Sequence, residues 1–151
     1  MTHLKVGDKA PESLLKQANL KQSDIKGKKI ILYFYPKDNT PGCTAEACDL
    51  RDNYSVLKSK GFEVIGVSPD SEKSHTSFIQ KFELPFQLIP DTEKALAEDF
   101  GVWGEKNMYG KKYMGIIRTT FVISEKGIIE KIIAKVDTKD HASQILKEMG
   151  E

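Results

Sequence analysis

The chain has 151 residues, 39% of them hydrophobic and 30% charged, with a net charge of +1. That length suits one domain with a sizeable core, and the near-neutral balance gives no strong field toward nucleic acid or a membrane surface. No apolar run reaches the roughly 18 residues of a membrane span, and the start, MTHLKVGDKAPE, lacks the apolar core of a signal peptide. A cytoplasmic protein is therefore expected, a setting in which a transient catalytic disulfide is commoner than a structural one. His3, His75 and His141 are far apart in sequence and at no metal-ligand spacing, so each reads as a surface residue and no metal is expected.

In chain order, the segment 21–28 reads as a short turn leading into an apolar run, 30–35, of the kind buried on both faces of a central parallel strand. Pro36 cannot donate to a ladder and ends it. Lys37, Asp38 and Asn39 form a polar loop, and Thr40 followed by Pro41 marks a helix start. Cys43 then falls in the first helical turn. A free cysteine has a pKa of about 8.5, and the unpaired N–H groups and partial positive charge of a helix N-terminus favour its reactive thiolate. The same position also suits a small buried hydrophobe.

Beyond Cys43 the apolar residues Ala47, Leu50, Tyr54 and Leu57 recur at helical spacing, with Gly61 as the stop. Arg51 and Asp52 fall off that stripe and read as solvated. A second strand is predicted over 62–67, a helix over 72–82 with Phe78, Ile79 and Phe82 inward, a third strand over 86–89 and a third helix over 92–100. The stretch 101–115 carries four glycines and reads as a loop whose aromatic and Met residues, Trp103, Met108, Tyr109, Tyr113 and Met114, pack onto the core, a reading favoured over a cofactor platform. A strand over 118–123, a tight turn at 125–127, a returning strand over 128–136 and a terminal helix over 140–149 complete the chain. Strand–helix alternation closed by a hairpin and a helix gives an α/β domain of three layers: a central mixed β-sheet flanked by helices, with right-handed crossovers. This pattern is similar to the thioredoxin fold.

The spacing Pro36-x-x-x-Thr40-x-x-Cys43, followed by Thr44, Glu46 and Cys48, resembles the active-site loop of the peroxiredoxins. The longer string YPKDNTPGCTAEACDLRD resembles their bacterioferritin comigratory protein branch, also called peroxiredoxin Q, and so does the string 101–115. The stretch Gly7-Asp8-Lys9-Ala10-Pro11 resembles the family's start; the sequence then departs from it, with Glu12 to Leu15 following and no Asp-Gly turn before Lys29. Overall the likeness covers roughly residues 5–145.

The resemblance implies a hydroperoxide reductase. Cys43 would be the nucleophile that becomes a sulfenic acid, with Thr40 and the Cys43 backbone N–H contacting the peroxide. Arg118, in its RTTF context, would hold the thiolate and stabilise the developing charge. Pro36 would shield the pocket, while Glu46 is open between acting and orienting. Cys48 matches the resolving position, which implies an intramolecular disulfide recycled by thioredoxin or a similar dithiol, with no cofactor and a monomeric protein. A second reading shares the reactive Cys43: a redox sensor or binding module switched by the same cysteine pair. A third, a dithiol oxidoreductase acting on protein disulfides, shares the expected fold and is disfavoured by C-x-x-x-x-C spacing where C-x-x-C is needed.

Overall fold

The computed structural model describes residues 2–17 and 27–150. Its main sheet comprises β1 (Lys29–Phe34), β2 (Phe62–Ser68), β3 (Gln87–Pro90), β6 (Thr119–Ile123) and β7 (Ile129–Ile133), in the order β3-β2-β1-β6-β7. The predicted central strand is β1, parallel to β2 on one side and antiparallel to β6 on the other. Its alternation splits the core in two. Ile30, Leu32 and Phe34 face a cluster with Leu96, Phe100 and Phe121. Ile31, Tyr33 and Tyr35 face a second cluster, supplied by α1 (Pro41–Asp52), α2 (Tyr54–Ser59), α3 (Glu72–Phe82) and α5 (His141–Glu148). The short α4 (Ala95–Asp99) and a 3-10 turn at Glu12–Leu14 cover the other face. The predicted three-layer mixed sheet is thus present. Gly66 of β2 leaves room for the side chains of its two cross-strand partners: a Cβ there would sit 2.6 Å from Leu88 and 2.9 Å from the Tyr33 ring.

Several boundaries differ from the sequence reading, each for a local reason. The stripe from Ala47 to Leu57 is two helices, broken at Asn53, whose side-chain amide donates to the Asp49 carbonyl at 2.8 Å. The third predicted helix is only five residues long, because Lys94 before it is left-handed (φ 58°) and the Asp91 carboxylate caps it by accepting from the Leu96 and Ala97 amides. Residues 101–115 are not a packed loop. They form most of an antiparallel ribbon, β4 (Trp103–Met108) with β5 (Lys111–Ile116), turned by Tyr109 and Gly110 at φ 53° and 81°. Two positive φ values in a two-residue connection match the primed turns that favour hairpins. The ribbon's Met108, Tyr109, Tyr113 and Met114 are exposed rather than seated on the core, whereas Trp103 does pack against it. The predicted turn over 21–28 lies mostly outside the described residues. Before it, the chain start docks on β7: the Gly7 amide donates to the Ile129 carbonyl and the Ile129 amide to the Asp8 carbonyl.

Two of the three histidines are buried, against expectation: His75 and His141 are in the core, and only His3 is exposed. His75 lies on the inward face of α3, three residues before Phe78. Its Nδ1 meets Asp38 Oδ2 at 2.8 Å and its Nε2 the Ile89 carbonyl at 3.0 Å. Asp38 also accepts from the Tyr35 hydroxyl at 2.6 Å and the Ser74 hydroxyl at 2.8 Å, and its amide donates to Asp70. Asp38, Asp70 and His75 come within metal-ligand reach of one another, yet these contacts already occupy the facing atoms.

The network ties the loop leaving β1 to α3 and so fixes where α1 begins. Burial pushes the Asp38 carboxyl up, but the hydrogen bonds from His75, Tyr35 and Ser74 outweigh it and hold the group below its usual range. A depressed carboxyl stabilises the fold above its unfolded value, 3.8, and loses that contribution as pH falls through the folded value. Removing a buried acceptor leaves each of its donors unsatisfied at about 1–3 kcal/mol apiece, and the Asp38 Oδ atoms face Tyr35, Ser74 and His75. Asp38→Ala should therefore lower unfolding stability by at least about 1–3 kcal/mol in urea at neutral pH, with the gap to wild type narrowing in acid. A loss below about 1 kcal/mol, or one that does not change with pH, would show that the network is not what holds the loop.

Candidate active site

The site forms where two distant segments end at the same edge of the sheet. β1 runs toward the loop that starts α1. Antiparallel β6 begins beside the end of β1, with Thr119 opposite Phe34. Arg118 is the residue before β6, not its first residue as predicted, and therefore projects at the mouth of α1. This is the carboxyl edge of the parallel strands, where open α/β sheets present their crevices.

Thr40 is the N-cap of α1 and Pro41 its first residue, so Cys43 does lie in the first turn. The Thr40 carbonyl accepts the first helical bond, from the Thr44 amide at 2.8 Å. The Thr40 side chain does not cap the helix; its hydroxyl donates back to the Lys37 carbonyl at 2.9 Å, leaving its oxygen lone pairs as acceptors. Pro36 is half-buried beside this turn.

Cys43 is only 2% exposed. The Arg118 guanidinium contacts it directly, one nitrogen 3.2 Å from Sγ. The other terminal nitrogen donates to Glu46 Oε1 at 2.6 Å. Glu46, three residues after Cys43, shares the inward stripe of α1 with Ala47 and Leu50 and is fully buried. Gly42 lies against the guanidinium, where a Cβ would be in van der Waals contact with it at 3.4 Å. Burial pushes the Glu46 carboxyl up to about 7, against the pull of Arg118. The Tyr33 ring walls the same pocket and its phenol is held well above its ordinary value, first by burial and then by the neighbouring Glu46 and Cys43.

Cys48 lies on the same helix and is a free, partly buried thiol, as Cys43 is a free, buried one. Structure thus brings Cys43, Arg118 and Glu46 into contact, sets Thr40 at the N-cap of their helix and Pro36 just past the end of β1, and keeps Cys48 five residues along α1. Arg51, read as solvated, instead ties α1 to α3: its guanidinium donates to the Phe82 carbonyl at 2.8 Å. Behind Glu46 stands His141, whose polarity alone reads as surface while its place in the helical stripe reads as core. It opens the stripe that continues through Ala142 and Ile145. A thiolate set at a helix start, hydrogen-bonded to a cation that cannot deprotonate, can attack an electrophilic atom and pass charge to the same cation.

Comparison with known proteins fits this geometry. The AhpC/TSA family matches residues 6–132. Peroxiredoxin Bcp of Bacillus subtilis is 50% identical over 154 residues, covering 98% of each chain. A cysteine-to-serine mutant of Xylella fastidiosa PrxQ superposes with a TM-score of 0.87 at 34% identity, covering 99% of this chain and 98% of its own. A structure of the Xanthomonas campestris bacterioferritin comigratory protein, described for its alkyl peroxide reduction activity, does so at 0.79 with 38% identity over 87% of this chain and 82% of its own. With its thioredoxin-like sheet and a family match across most of its length, the chain belongs to the AhpC/TSA family, in the Bcp or peroxiredoxin Q branch of the peroxiredoxins.

Proposed function

We propose that this peroxiredoxin reduces hydrogen peroxide and alkyl hydroperoxides at Cys43, through a disulfide with Cys48 that thioredoxin or a similar dithiol reopens. The observation that carries the reading is the guanidinium of Arg118, shared between Cys43 Sγ and Glu46 at the start of a helix. The alkyl arm is supported by the activity named for the Xanthomonas protein.

The Cys43 thiolate attacks one peroxide oxygen, so an S–O bond forms as the O–O bond breaks. The second oxygen leaves as an alkoxide or hydroxide and takes up a proton. Arg118, always charged, offsets the negative charge as it moves from sulfur to the departing oxygen. The Thr40 lone pairs and the Cys43 amide orient the peroxide, and Pro36 limits water at the sulfur. Cys43 is left as a sulfenic acid. The Cys48 thiol then attacks that sulfur, a disulfide forms, and water departs. Exchange with an external dithiol restores both thiols.

In a coupled assay with thioredoxin and its reductase, Cys43→Ser should abolish peroxide consumption. Cys48→Ser should still form sulfenic acid in a single turnover while losing thioredoxin-dependent recycling. Sulfenic acid forming on Cys48 in place of Cys43 would reverse the two roles. A wild type that oxidises once and does not turn over would make the pair a redox switch instead.

The same helix that exposes Cys43 to its cation keeps the two sulfurs apart. Residues five apart on a regular α-helix are separated by ~7.5 Å along the axis and ~140° around it, a Cα distance of ~8.7 Å. Disulfides rarely bridge more than about 7 Å. Residues 41–50 must therefore open during the cycle. Opening costs the Arg118 contacts and the burial of Ala47 and Leu50, both fully enclosed. It also strains the Asp49 carboxylate, which accepts from the Ala142 amide at 2.8 Å and so ties α1 to the start of α5. Hydrogen exchange should show amides 45–50 losing protection on oxidation, with the Cys43–Cys48 bond verified by mass spectrometry. Equal protection in the reduced and bonded forms would exclude the opening.

A further inference from the structure

The buried cluster around Cys43 continues past Glu46 to a histidine that the reaction above does not use. Glu46 Oε2 has no hydrogen-bond partner among the described residues. It lies 3.5 Å from His141 Nε2, and both side chains are fully enclosed. The tautomer of His141 follows from its other neighbours. The Gln144 amide nitrogen donates to the Lys135 carbonyl at 2.7 Å, and Gln144 Oε1 accepts from the Asp137 amide at 2.8 Å, which fixes the orientation of that amide. Oε1 also lies 2.9 Å from His141 Nδ1, so Nδ1 carries the proton. Nε2 of the neutral ring is then a single lone pair that faces both the rotatable Thr120 hydroxyl at 2.8 Å and Glu46 Oε2 at 3.5 Å, and the hydroxyl turns away when the carboxyl supplies the proton.

We infer that His141 is a positioning residue that keeps Glu46 as a neutral carboxylic acid, its proton on Oε2 directed at His141 Nε2, so that Arg118 reserves its charge for Cys43. This rests on Cys43 being the nucleophile. One guanidinium facing two anions in a dry pocket stabilises neither fully, and one of two such acids keeps its proton. A bare carboxylate oxygen facing a bare imidazole nitrogen is repulsive, so the proton belongs between them. The neutral acid still accepts Arg118 through Oε1, which preserves the fork on Cys43. At 3.5 Å the contact reaches ordinary hydrogen-bond length with a shift of about 0.5 Å.

Burial moves the two groups in the matching directions: it raises Glu46 to about 7 and lowers His141 to about 4, where Arg118 adds to the fall. Other groups act on the cluster from each packed element. Asp49 on α1 acts on Glu46, Asp137 before α5 acts on His141, Tyr33 on β1 faces Glu46 and Cys43, and Lys106 on β4 is influenced by Arg118 and Cys43. Among them, His141 presents its lone pair to the free carboxylate oxygen.

The test compares thiolate titrations of Cys43, followed by ultraviolet absorbance with Cys48 replaced by serine throughout. His141→Leu keeps an apolar body and removes the acceptor. It should raise the Cys43 midpoint by about one pH unit, a tenfold loss of thiolate below the midpoint. In a Glu46→Gln background, which mimics the neutral acid, the same change should produce no shift. An unchanged midpoint, or an equal shift in both backgrounds, overturns the inference. Titration needs no peroxide, so its result is separable from a failure of the peroxidase reading. Should His141→Leu not fold, infrared spectroscopy of the Cys48→Ser protein decides. A carboxylic-acid carbonyl band near pH 6 that vanishes in Glu46→Gln supports the assignment, and the absence of such a band overturns it.

Discussion

The site depends on one guanidinium placed between a sulfur and a carboxyl group in a pocket from which water is nearly excluded. Arg118 spans 75 residues of sequence to reach Cys43 and 72 to reach Glu46. A charge in such surroundings is costly unless it is matched, so Arg118 and its partners constrain one another. Whichever partner carries the negative charge decides whether the cation merely holds the fold together or activates a nucleophile. That choice links the buried end of the site, at Glu46 and His141, to its reactive end.

Sheet topology makes the meeting possible. β1 is central, and its end feeds the helix that carries Cys43. β6 pairs with it in the opposite sense, so the start of β6 arrives where β1 finishes. A parallel neighbour would have delivered its own end there, and Arg118 would lie at the far edge. On the other side of β1, the Asp38–His75 contact and the Asp38–Asp70 contact hold the connecting loop against α3 and the end of β2. Cys43 is thus set by elements on both flanks. The proposed disulfide would require the intervening helix to open, and the helix's ties to α3 through Arg51 and to α5 through Asp49 would bound how far that opening spreads.

Much of this was legible in the sequence where local signals and burial agree. The apolar run into Pro36, the Thr40-Pro41 start and the 72–82 helix depend on short-range chemistry, and the last is fixed by Ser71 capping the Ser74 amide and Glu83 turning left-handed at its end. The constellation around Cys43 was readable through its resemblance to a family; composition alone left Cys43 open between nucleophile and core residue. What escaped had non-local causes. Asn53 breaks a helix whose apolar stripe runs on unbroken. The β4–β5 ribbon shows no strong alternation because neither face is fully buried, and its signal was the Tyr109-Gly110 pair. His75 and His141 looked like surface residues because their partners lie 37 and 21 residues away, at Asp38 and Thr120. Their positions on the inward stripes of α3 and α5 carried the correct answer.

The central claim is that Arg118 acts through its geometry and not through its charge alone. The measurement that tests it most directly is the single-turnover rate of Cys43 oxidation in Arg118→Lys, with unfolding stability recorded alongside. Lysine keeps the charge and loses the planar fork that reaches sulfur and carboxyl together. Losing one preorganised donor to a developing oxyanion costs on the order of 10²–10³ in rate, and a fall of that size in a folded variant is the predicted result. A folded Arg118→Lys protein reacting at close to the wild-type rate would contradict the account.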